Sequence, residues 1–375
     1  MERKTFTPRE NWQKTVESQG LTFHSNDNPY WNESVGYRFT AREVDTLEKA
    51  ANDVHELCLG AAQHIIDKDL FHKLSIPDNA ARLIVDSWNK DQLHLYGRFD
   101  FVYDGTGQPK MLEYNADTPT SLLEASVVQW HWMKDRFPYL DQFNSIHERL
   151  VDRWKKLGLK PGSKVHVSTL DGIEEDVITT AYLGDTAREA GFDGRFIGLE
   201  SLGYDSSRRI FCDMDNEKVE TLFKLYPWEL IVQEDFAKHL PTADMRIVEP
   251  AWKMLWSNKG LLPILWELNP DHPNLLPSYE TPEKLGNTWV KKPLFGREGA
   301  NVTIRKGGES VETEGHYGPE GFIYQAYCQI PNFDGNYPVL GLWMVGDDCA
   351  GMGIRENSTE ITDNWSRFTP HYIQY

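Results

Sequence analysis

A strand, a helix and a second strand follow one another in the middle of the chain, and this succession limits the fold more than any other feature. Residues 163–170, SKVHVSTL, and 194–202, GRFIGLESL, read as strands, and residues 174–191 read as a helix. Strands that alternate with helices build a parallel sheet covered by helices. Residues 216–235 continue the pattern. We therefore predict an α/β domain over residues 151–248.

Helices and one hairpin are predicted before this domain, and a mixed pattern after it. Residues 41–67 have apolar side chains at helical spacing and follow a candidate N-cap, Thr40. Residues 1–150 are therefore assigned to an N-terminal helical region that also contains the hairpin described below. Residues 288–307 read as strand, glycine-containing loop and strand. They belong to a third predicted region, residues 249–375.

Length, charge and cysteine usage narrow the class of protein. The chain has 375 residues, which is more than one small domain needs, and a formal net charge of −18. Such an acidic surface argues against nucleic acid or an anionic membrane as the main partner, and it fits a cationic substrate or simple solubility. The four cysteines lack CxxC spacing, and the polar start MERKTFTPRENWQK predicts no signal peptide. We expect a cytoplasmic protein with reduced thiols; the sequence does not predict its oligomeric state.

An unusual set of charges lies in residues 98–121, RFDFVYDGTGQPKMLEYNADTPTS, which read as two strands and a turn. Side chains alternate between the faces of a strand, so Asp100 and Glu113 fall on one face with Arg98 and Asn115 beside them. Like charges opposed on a sheet repel each other. The face is therefore expected either to be solvated or to gather around a cation.

The turn of this hairpin has two candidate positions. A two-residue turn at 106–107 pairs Asp100 with Glu113, whereas a turn at 104–105 shifts the pairs and keeps the faces. In both cases the opposite face is aromatic and suits a core, with Phe99, Phe101, Tyr103, Leu112 and Tyr114 on it. Val102 and Met111 are expected on the acidic face.

The chemistry of the acidic face favours magnesium over other cations. Carboxylates and an amide oxygen are hard ligands, and Mg²⁺ is usually held by one or two carboxylates while it shares substrate phosphates. A solvated polar face is the alternative. The apolar residues around the hairpin are dense, which favours the cation.

Residues 290–302, VKKPLFGREGANV, form a basic, glycine-bearing loop. Gly296 and Gly299 allow backbone to approach a ligand closely, and Arg297 lies between them. Backbone amides and a strand lysine suit a triphosphate, although a plain basic turn is the alternative. Together with an acidic magnesium site, the loop predicts nucleotide chemistry.

Several short motifs, in order along the chain, resemble the synthetase domain of the glutathionylspermidine synthetases. They are RFDF, LEYNADTPTS, YPWE, NKGLLPILWE, KKPLFGREGANV and IYQAY, and the resemblance runs from about Tyr30 to Thr362. It includes stand-alone bacterial relatives described as acid–amine ligases. The resemblance implies an ATP-grasp fold, with a preATP-grasp-like domain over residues 151–248 and a nucleotide-binding region over residues 249–375. We expect no counterpart of the family's separate amidase domain.

The resemblance also implies which residues bind magnesium and ATP. The implied metal ligands are Asp100, Glu113 and Asn115. The implied ATP contacts are Arg98, Phe99, Asp100, Lys259, Lys292, Glu298, Gly299, Gln325, Ala326, Tyr327, Cys328, Glu360, Ile361 and Thr362. Within this set, the two lysines hold phosphates and residues 325–328 form the hinge beside the adenine. Arg297 is implied as the residue that stabilises the transition state.

The implied substrate contacts include departures from the family pattern. Arg355 looks like the arginine that contacts the acid substrate, and Glu174 or Glu175 matches an acidic substrate contact. Thr118 and Thr120 stand where the family has serines near its glutathione site. These changes leave the ATP machinery intact and put glutathione and spermidine in doubt as substrates.

The function implied is ATP- and Mg²⁺-dependent amide ligation through an acyl phosphate. The partners would be a small-molecule or peptide carboxylic acid and an amine, with polyamines among the candidates. A lid loop at about residues 291–305 would close over the site and exclude water. The alternatives are a non-catalytic nucleotide-binding or regulatory protein, and an ATPase or phosphotransferase that stops at the phosphate step.

Overall fold

The computed structural model describes residues 1–25, 29–363 and 365–374. The α-helices are α1 (Trp12–Ser18), α2 (Ala41–Asp67), α3 (Asp78–Asn89), α4 (Gln129–Arg136), α5 (Ile146–Lys156), α6 (Glu174–Glu189), α7 (Trp228–Ile231), α8 (Met254–Ser257) and α9 (Leu261–Leu268). The strands are β1 (Glu2–Thr5), β2 (Val35–Phe39), β3 (Tyr96–Val102), β4 (Lys110–Asn115), β5 (Lys164–Thr169), β6 (Asp193–Gly198), β7 (Gly203–Asp205), β8 (Ile210–Cys212), β9 (Thr221–Lys224), β10 (Arg246–Val248), β11 (Ser278–Tyr279), β12 (Thr288–Pro293), β13 (Thr303–Lys306), β14 (Glu309–Glu312), β15 (Phe322–Ala326), β16 (Tyr337–Val345), β17 (Asp348–Asn357), β18 (Arg367–Thr369) and β19 (His371–Ile373). Short 3₁₀ segments are Leu70–Leu74, Leu199–Ser201, Asp235–Thr242, Ala251–Lys253 and Glu283–Leu285, and a π-helical turn, Glu124–Val128, precedes α4.

Helix α2 begins where the sequence predicts. The Thr40 hydroxyl accepts from the Glu43 backbone N–H, and the Glu43 carboxylate accepts from the Thr40 N–H at 2.7 Å, which is a capping box. The predicted apolar face is buried along its whole length and packs on β16, β17 and α9. The four cysteines are free thiols, as expected. In the described ranges, no helix is both long enough and apolar enough to span a bilayer.

The predicted α/β domain is present in the middle of the chain. Its sheet has the strand order β10-β9-β5-β6, and each pair of neighbouring strands is parallel. Helix α6 packs on β5 and β6, as a crossover between parallel strands requires. The carboxyl ends of β5 and β9 therefore lead into loops at one edge of the sheet.

Two antiparallel five-stranded sheets build the rest of the site. One has the order β18-β17-β16-β3-β4 and the other β11-β15-β12-β13-β14. The first sheet joins the hairpin of the N-terminal region to strands of the C-terminal region, so these two regions share one sheet. Its aromatic face packs under α2, α8 and α9 in the largest core cluster. Its other face looks toward the second sheet.

The hairpin of β3 and β4 differs from the predicted regular ladder. Asp100 pairs with Glu113 and Arg98 with Asn115, but a bulge follows Asp100, and residues 103–109 form a loop longer than two residues. The extra residue of the bulge is Leu112. It reverses two predicted assignments. Met111 lies in the aromatic core, and Leu112 packs with Val102, Ile330 and Val339 on the side of the charged residues.

Candidate functional site

One cavity of about 570 Å³ lies between the two antiparallel sheets and the edge of the α/β domain. Side chains from β3, β4, β12, β15 and β17 line it, together with the start of α6 and the loop between β9 and α7. It brings together 20 predicted site residues: Arg98, Asp100, Glu113, Asn115, Thr118, Thr120, Glu175, Lys259, Lys292, Arg297, Glu298, Gly299, Gln325, Ala326, Tyr327, Cys328, Arg355, Glu360, Ile361 and Thr362. Residues more than 250 positions apart in the sequence thus form one site.

Two predicted contacts lie elsewhere. The side chain of Phe99 is on the core face of β3, fully buried and stacked on Tyr114 with ring centroids 3.7 Å apart. Side chains alternate along a strand, so Phe99 must point away from the cavity when its neighbours Arg98 and Asp100 point into it. The side chain of Glu174 is exposed and accepts a hydrogen bond from Thr22. Of the two acidic alternatives at the start of α6, Glu175 is the one that lines the cavity.

Asp100 is buried and held by two arginines. Arg98 donates from Nε to its Oδ1 at 2.8 Å, and Arg355 donates from Nη2 to its Oδ2 at 2.7 Å. Asp100 and Arg98 are only 3% and 6% exposed. The alternative that the sequence left open, a polar face in contact with solvent, is therefore wrong for these two residues. Burial lowers the pKa of Arg98, but Asp100 outweighs this and raises it above its ordinary value.

Glu113 forms an ion pair with Lys259, which lies between α8 and α9. Lys259 Nζ lies 3.1 Å from its Oε2, and Lys259 also donates to the backbone oxygen of Gly296 at 2.6 Å. Burial raises the pKa of Glu113, but Lys259 and Lys292 outweigh it and hold the pKa below its ordinary value. Asn115 donates to both carboxylates, at 3.3 Å to Asp100 and 3.2 Å to Glu113. The amide nitrogen of Asn115 thus bridges oxygens of the two carboxylates, which are close enough to share one hard cation, and a half-turn of the amide would bring the Asn115 oxygen to the same place.

Lys292, on β12, reaches across the cavity to the first sheet. Its ammonium donates to the backbone oxygen of Leu112 and to Gln325 Oε1, both at 2.9 Å. Burial lowers its pKa to about 8, an effect that Glu113 opposes and Lys259 reinforces. The bulge in β4 thus has a local function, because it turns the Leu112 carbonyl toward this lysine.

The loop between β12 and β13 covers part of the cavity. Glu298 and Gly299 have left-handed backbone angles, with φ of 54° and 68°. A Cβ atom at Gly299 would lie 2.5 Å from the backbone oxygen of Thr362, so only glycine fits there without displacement. The loop therefore rests directly on the segment that contains Glu360, Ile361 and Thr362.

Arg297 reaches from this loop to two partners. It donates from Nη1 to Thr118 Oγ1 at 2.5 Å and from Nη2 to Glu229 Oε1 at 2.6 Å. Burial lowers the pKa of the guanidinium, but the Glu229 carboxylate outweighs it and keeps the pKa above its ordinary value. The charged side chain is thereby placed at the wall of the cavity.

An apolar slot lies between the two sheets within the cavity. Val290 and Ile304 line it from one sheet and Leu112 and Val339 from the other, and Val302 and Ile330 line it from the loops before β13 and β16. Residues 325–328 run along its edge. Glu360 accepts hydrogen bonds from Tyr327 and Lys306 near the same edge. A flat apolar group with a polar rim, such as a purine base, matches these walls.

The opposite wall of the cavity is acidic. Glu175 and Asp176 begin α6, and burial raises the pKa of both. The pKa of Asp176 rises to about 7, with Glu175 and Glu298 as further causes. Behind them, Glu124 accepts from the Tyr30 hydroxyl at 2.5 Å, and burial and Glu175 raise its pKa to about 7. This wall suits a cationic group.

Sequence reasoning missed several of these residues. Glu229 belongs to the motif YPWE, which was noted without a role, and only the fold shows that it meets Arg297. Asp176 adjoins the predicted Glu175, so the acidic run at the start of α6 was the available signal. Tyr30 and Glu124 had no signal in the sequence, because their contact spans 94 positions.

A second cluster of metal-ligand side chains lies on the far side of the hairpin. His55, His94 and Asp347 each place one ligand atom within 4.8 Å of the others. Lys253 Nζ lies 3.2 Å from His94 Nδ1, and an ammonium can only donate. The proton of His94 is then on Nε2, which faces Asp347 Oδ1 at 3.1 Å. Hydrogen bonds thus link the cluster to Lys253 and join His94 to Asp347, which is a network that needs no metal to hold it.

Comparison with known proteins shows which family this chain resembles. The family model described as glutathionylspermidine synthase preATP-grasp matches residues 3–374. A Haemophilus influenzae protein named "Putative acid–amine ligase" is 44% identical over 363 residues, which cover 93% of this chain and 92% of that protein. A solved glutathione synthetase-like effector from Globodera pallida has a TM-score of 0.54 at 11% identity and covers 99% of this chain and 100% of that chain, which indicates a shared fold.

Two longer relatives match over part of their length. A trypanothione synthetase of Crithidia fasciculata is 31% identical over 332 residues, or 80% of this chain and 50% of that protein. A bifunctional glutathionylspermidine synthetase/amidase of Escherichia coli is 27% identical over 368 residues, or 89% of this chain and 58% of that protein. The chain thus spans between half and three-fifths of these two relatives. From the match over residues 3–374 and the identity to the Haemophilus protein, the chain belongs to the glutathionylspermidine synthase preATP-grasp family.

Proposed function

We propose that this protein is an ATP- and Mg²⁺-dependent acid–amine ligase with an ATP-grasp fold. The observation that carries the proposal is the single cavity in which a carboxylate–amide cluster, two lysines and the loop arginine meet. The names of the relatives support the ligase class, since they include glutathionylspermidine and trypanothione synthetases. The three regions proposed from the sequence, residues 1–150, 151–248 and 249–375, all contribute to that cavity.

Magnesium and ATP have specific partners in this proposal. Asp100, Glu113 and Asn115 would hold Mg²⁺, because the two carboxylates meet at the Asn115 amide and carboxylate and amide oxygens are hard ligands; the amide would turn its oxygen toward the ion. When bound, the ion would neutralise phosphate charge and orient the γ-phosphate. Lys259 and Lys292 would contact the phosphates, and the apolar slot would hold the base.

The reaction proceeds in two steps. The carboxylate of the acid attacks the γ-phosphorus, the bond to the β-phosphate oxygen breaks, and an acyl phosphate and ADP result. The amine then attacks the acyl carbon, loses a proton, and expels inorganic phosphate to leave an amide. Arg297 stabilises the charge that grows on the transferred phosphoryl group, and the loop that carries it excludes water from the acyl phosphate.

The two organic substrates are proposed from the charges of the walls. Arg355, near Thr118 and Thr120, would contact the acid, and the acidic wall at Glu175 and Asp176 would take the amine. A peptide acid such as glutathione and a polyamine such as spermidine are the first candidates, because relatives carry these names. The threonines at positions 118 and 120 argue for testing other acids beside them.

A screen of ADP release tests the proposal. Acids, including glutathione and short peptides, are paired with amines and polyamines in the presence of Mg²⁺-ATP, and the product masses are measured. Amide formation that depends on both partners supports the ligase. ADP release without amide, or a phosphorylated product that hydroxylamine does not capture as an acyl phosphate, would instead indicate an ATPase or phosphotransferase. Absence of ADP release with every pair would overturn the proposal.

A further inference from the structure

We propose that Glu229 is a positioning residue that holds Arg297 of the lid loop in its working place. The inference rests on the proposed function for the role of Arg297 and adds a residue to which no role has been assigned. The two side chains form a half-buried ion pair of 2.6 Å, with 29% of Arg297 and 17% of Glu229 exposed. A contact of this length between charged groups is strong and directional.

The two anchors of the guanidinium come from one buried junction. Asp117 Oδ2 accepts a hydrogen bond from the backbone N–H of Trp228 at 2.9 Å, and both residues are buried. Thr118 and Glu229 each follow a member of this pair in the sequence. They are thereby fixed side by side, one from the end of the hairpin and one from α7. Anchors on such a rigid support hold a side chain more closely than a loop can.

The junction is itself tied into the α/β domain. Asp117 also pairs with Lys224 of β9, and the side chains of both are 1% exposed. Trp228 donates from its indole to the backbone oxygen of Glu249 at 3.0 Å. The α/β domain thus positions a residue of a loop that belongs to a different sheet.

An arginine on a glycine-bearing loop needs fixed partners, such as Thr118 and Glu229, to keep its side chain in one position. Its side chain has many rotamers, and its own loop offers few packed neighbours to select among them. Fixing it before the nucleotide arrives lowers the cost of reaching the transition state. The guanidinium has more N–H donors than the two contacts use, so it can hold its anchors and still bind a phosphate oxygen.

Hydrogen–deuterium exchange of the ligand-free protein tests the contact without any assumption about the reaction. Glu229→Gln removes the charge at nearly constant shape, and Glu220→Gln, at an exposed position of the same domain, is the matched control. We expect faster exchange of the peptide that covers residues 294–302 in Glu229→Gln alone. Equal exchange in wild type and both variants would overturn the inference.

Steady-state kinetics then test whether the contact between Glu229 and Arg297 contributes to kcat. We expect Glu229→Gln to lower kcat by about 10- to 100-fold with unchanged affinity for a non-hydrolysable ATP analogue. In the double variant with Arg297→Ala, Glu229→Gln should cause no further loss, because its effect passes through Arg297. Additive losses, or a rise in kcat, would overturn the positioning role. If the wild type ligates no acid and amine, the proposed function fails, and the exchange experiment still decides the contact.

Discussion

Asp100 and Glu113 lie opposite each other on neighbouring strands, and cations from other elements contact each of them. Two arginines bind the first carboxylate and a lysine binds the second. The repulsion that the sequence poses is therefore offset by Arg98, on the same strand as Asp100, and by two distant partners, Arg355 and Lys259. At this scale Arg355 is notable, because it joins a proposed metal ligand to the proposed acid site.

The loop arginine gives the first prediction. Arg297→Ala should lower kcat by about 10²-fold or more and leave ATP affinity nearly unchanged, because the residue acts on charge that develops during transfer. Steady-state kinetics and direct nucleotide titration measure the two effects. Equal losses in turnover and affinity would assign Arg297 to ground-state binding.

Asp176 gives a prediction about pH and stability. Its pKa in the folded protein is raised to about 7 from an ordinary value of 3.8, mainly by burial. Below the pKa of the unfolded chain this carboxyl is protonated in both states and costs no stability. As the pH rises from there to about 7, the unfolded chain binds fewer protons than the folded protein, so the free energy of unfolding falls. Asp176→Asn should therefore raise the melting temperature at pH 8 and have little effect at pH 4.

The control for this prediction lies on the same helix. Asp185 is on the exposed face of α6, where it pairs with Arg188, and Asp185→Asn should not reproduce the rise in melting temperature at pH 8, because it relieves no buried carboxylate. A melting temperature of Asp176→Asn that follows wild type from pH 4 to 8 would contradict the raised pKa. Retention of a costly buried carboxyl is typical of ligand sites.

At the scale of elements, the lid loop is defined by where its backbone can go. It leaves β12 beside Lys259, turns through three left-handed residues (Glu298, Gly299 and Asn301) and rests on the segment around Thr362. A glycine of this loop and a glycine of the next turn serve different needs. Gly299 is required by a close approach, whereas Gly307, in the turn after β13, has φ of 61° and open space around it.

Alanine at these two glycines separates strain from clash. Both substitutions place a side chain at positive φ, which costs about 1 kcal/mol or more. Only Gly299→Ala also pushes the loop away from Thr362, so it should lower kcat/KM for ATP by about tenfold or more, in line with a misplaced catalytic group. Gly307→Ala should match wild type in kcat/KM. Similar kinetics for the two variants would show that the function of the loop does not depend on its close contact with Thr362.

At the scale of the whole molecule, the site depends on contacts between regions far apart in sequence. The hairpin and β16 share a sheet, while the α/β domain reaches the cavity through α6 and α7. The buried pair of Asp117 and Lys224 joins the hairpin to β9. Burial alone lowers the pKa of Lys224, and Asp117 opposes this.

Breaking this pair should loosen the molecule. Asp117→Ala leaves a buried ammonium and a backbone N–H without their partner, so the free energy of unfolding should fall by about 3–5 kcal/mol. Asp152→Ala, which removes the exposed pair with Lys155, should change it by less than about 0.5 kcal/mol. Urea unfolding measures both. Equal stability of the two variants would show that the α/β domain is not held through Asp117.

The sequence by itself determined the elements and much of the chemistry. Apolar spacing after Thr40 predicted α2, and the strand–helix–strand succession predicted the parallel sheet, because local propensity and alternation act within a few residues. Ordered motifs predicted the family, and 20 of the 22 site residues that they implied line the cavity. The prediction of a metal site at Asp100, Glu113 and Asn115 also came from residue type, since hard oxygen ligands favour a hard cation, and it stays a prediction.

Only the tertiary structure decided which residues meet. The bulge at Leu112 put Met111 in the aromatic core and Leu112 on the side of the charged residues, which reverses the two predicted positions. This depends on the packing of the hairpin between two layers. The alternation of β3 sent Phe99 into the core, and the geometry of α6 selected Glu175 over Glu174. The contact of Glu229 with Arg297 spans 68 positions and two regions. Pairings of this kind arise when distant surfaces pack together, and no local pattern in the chain records them.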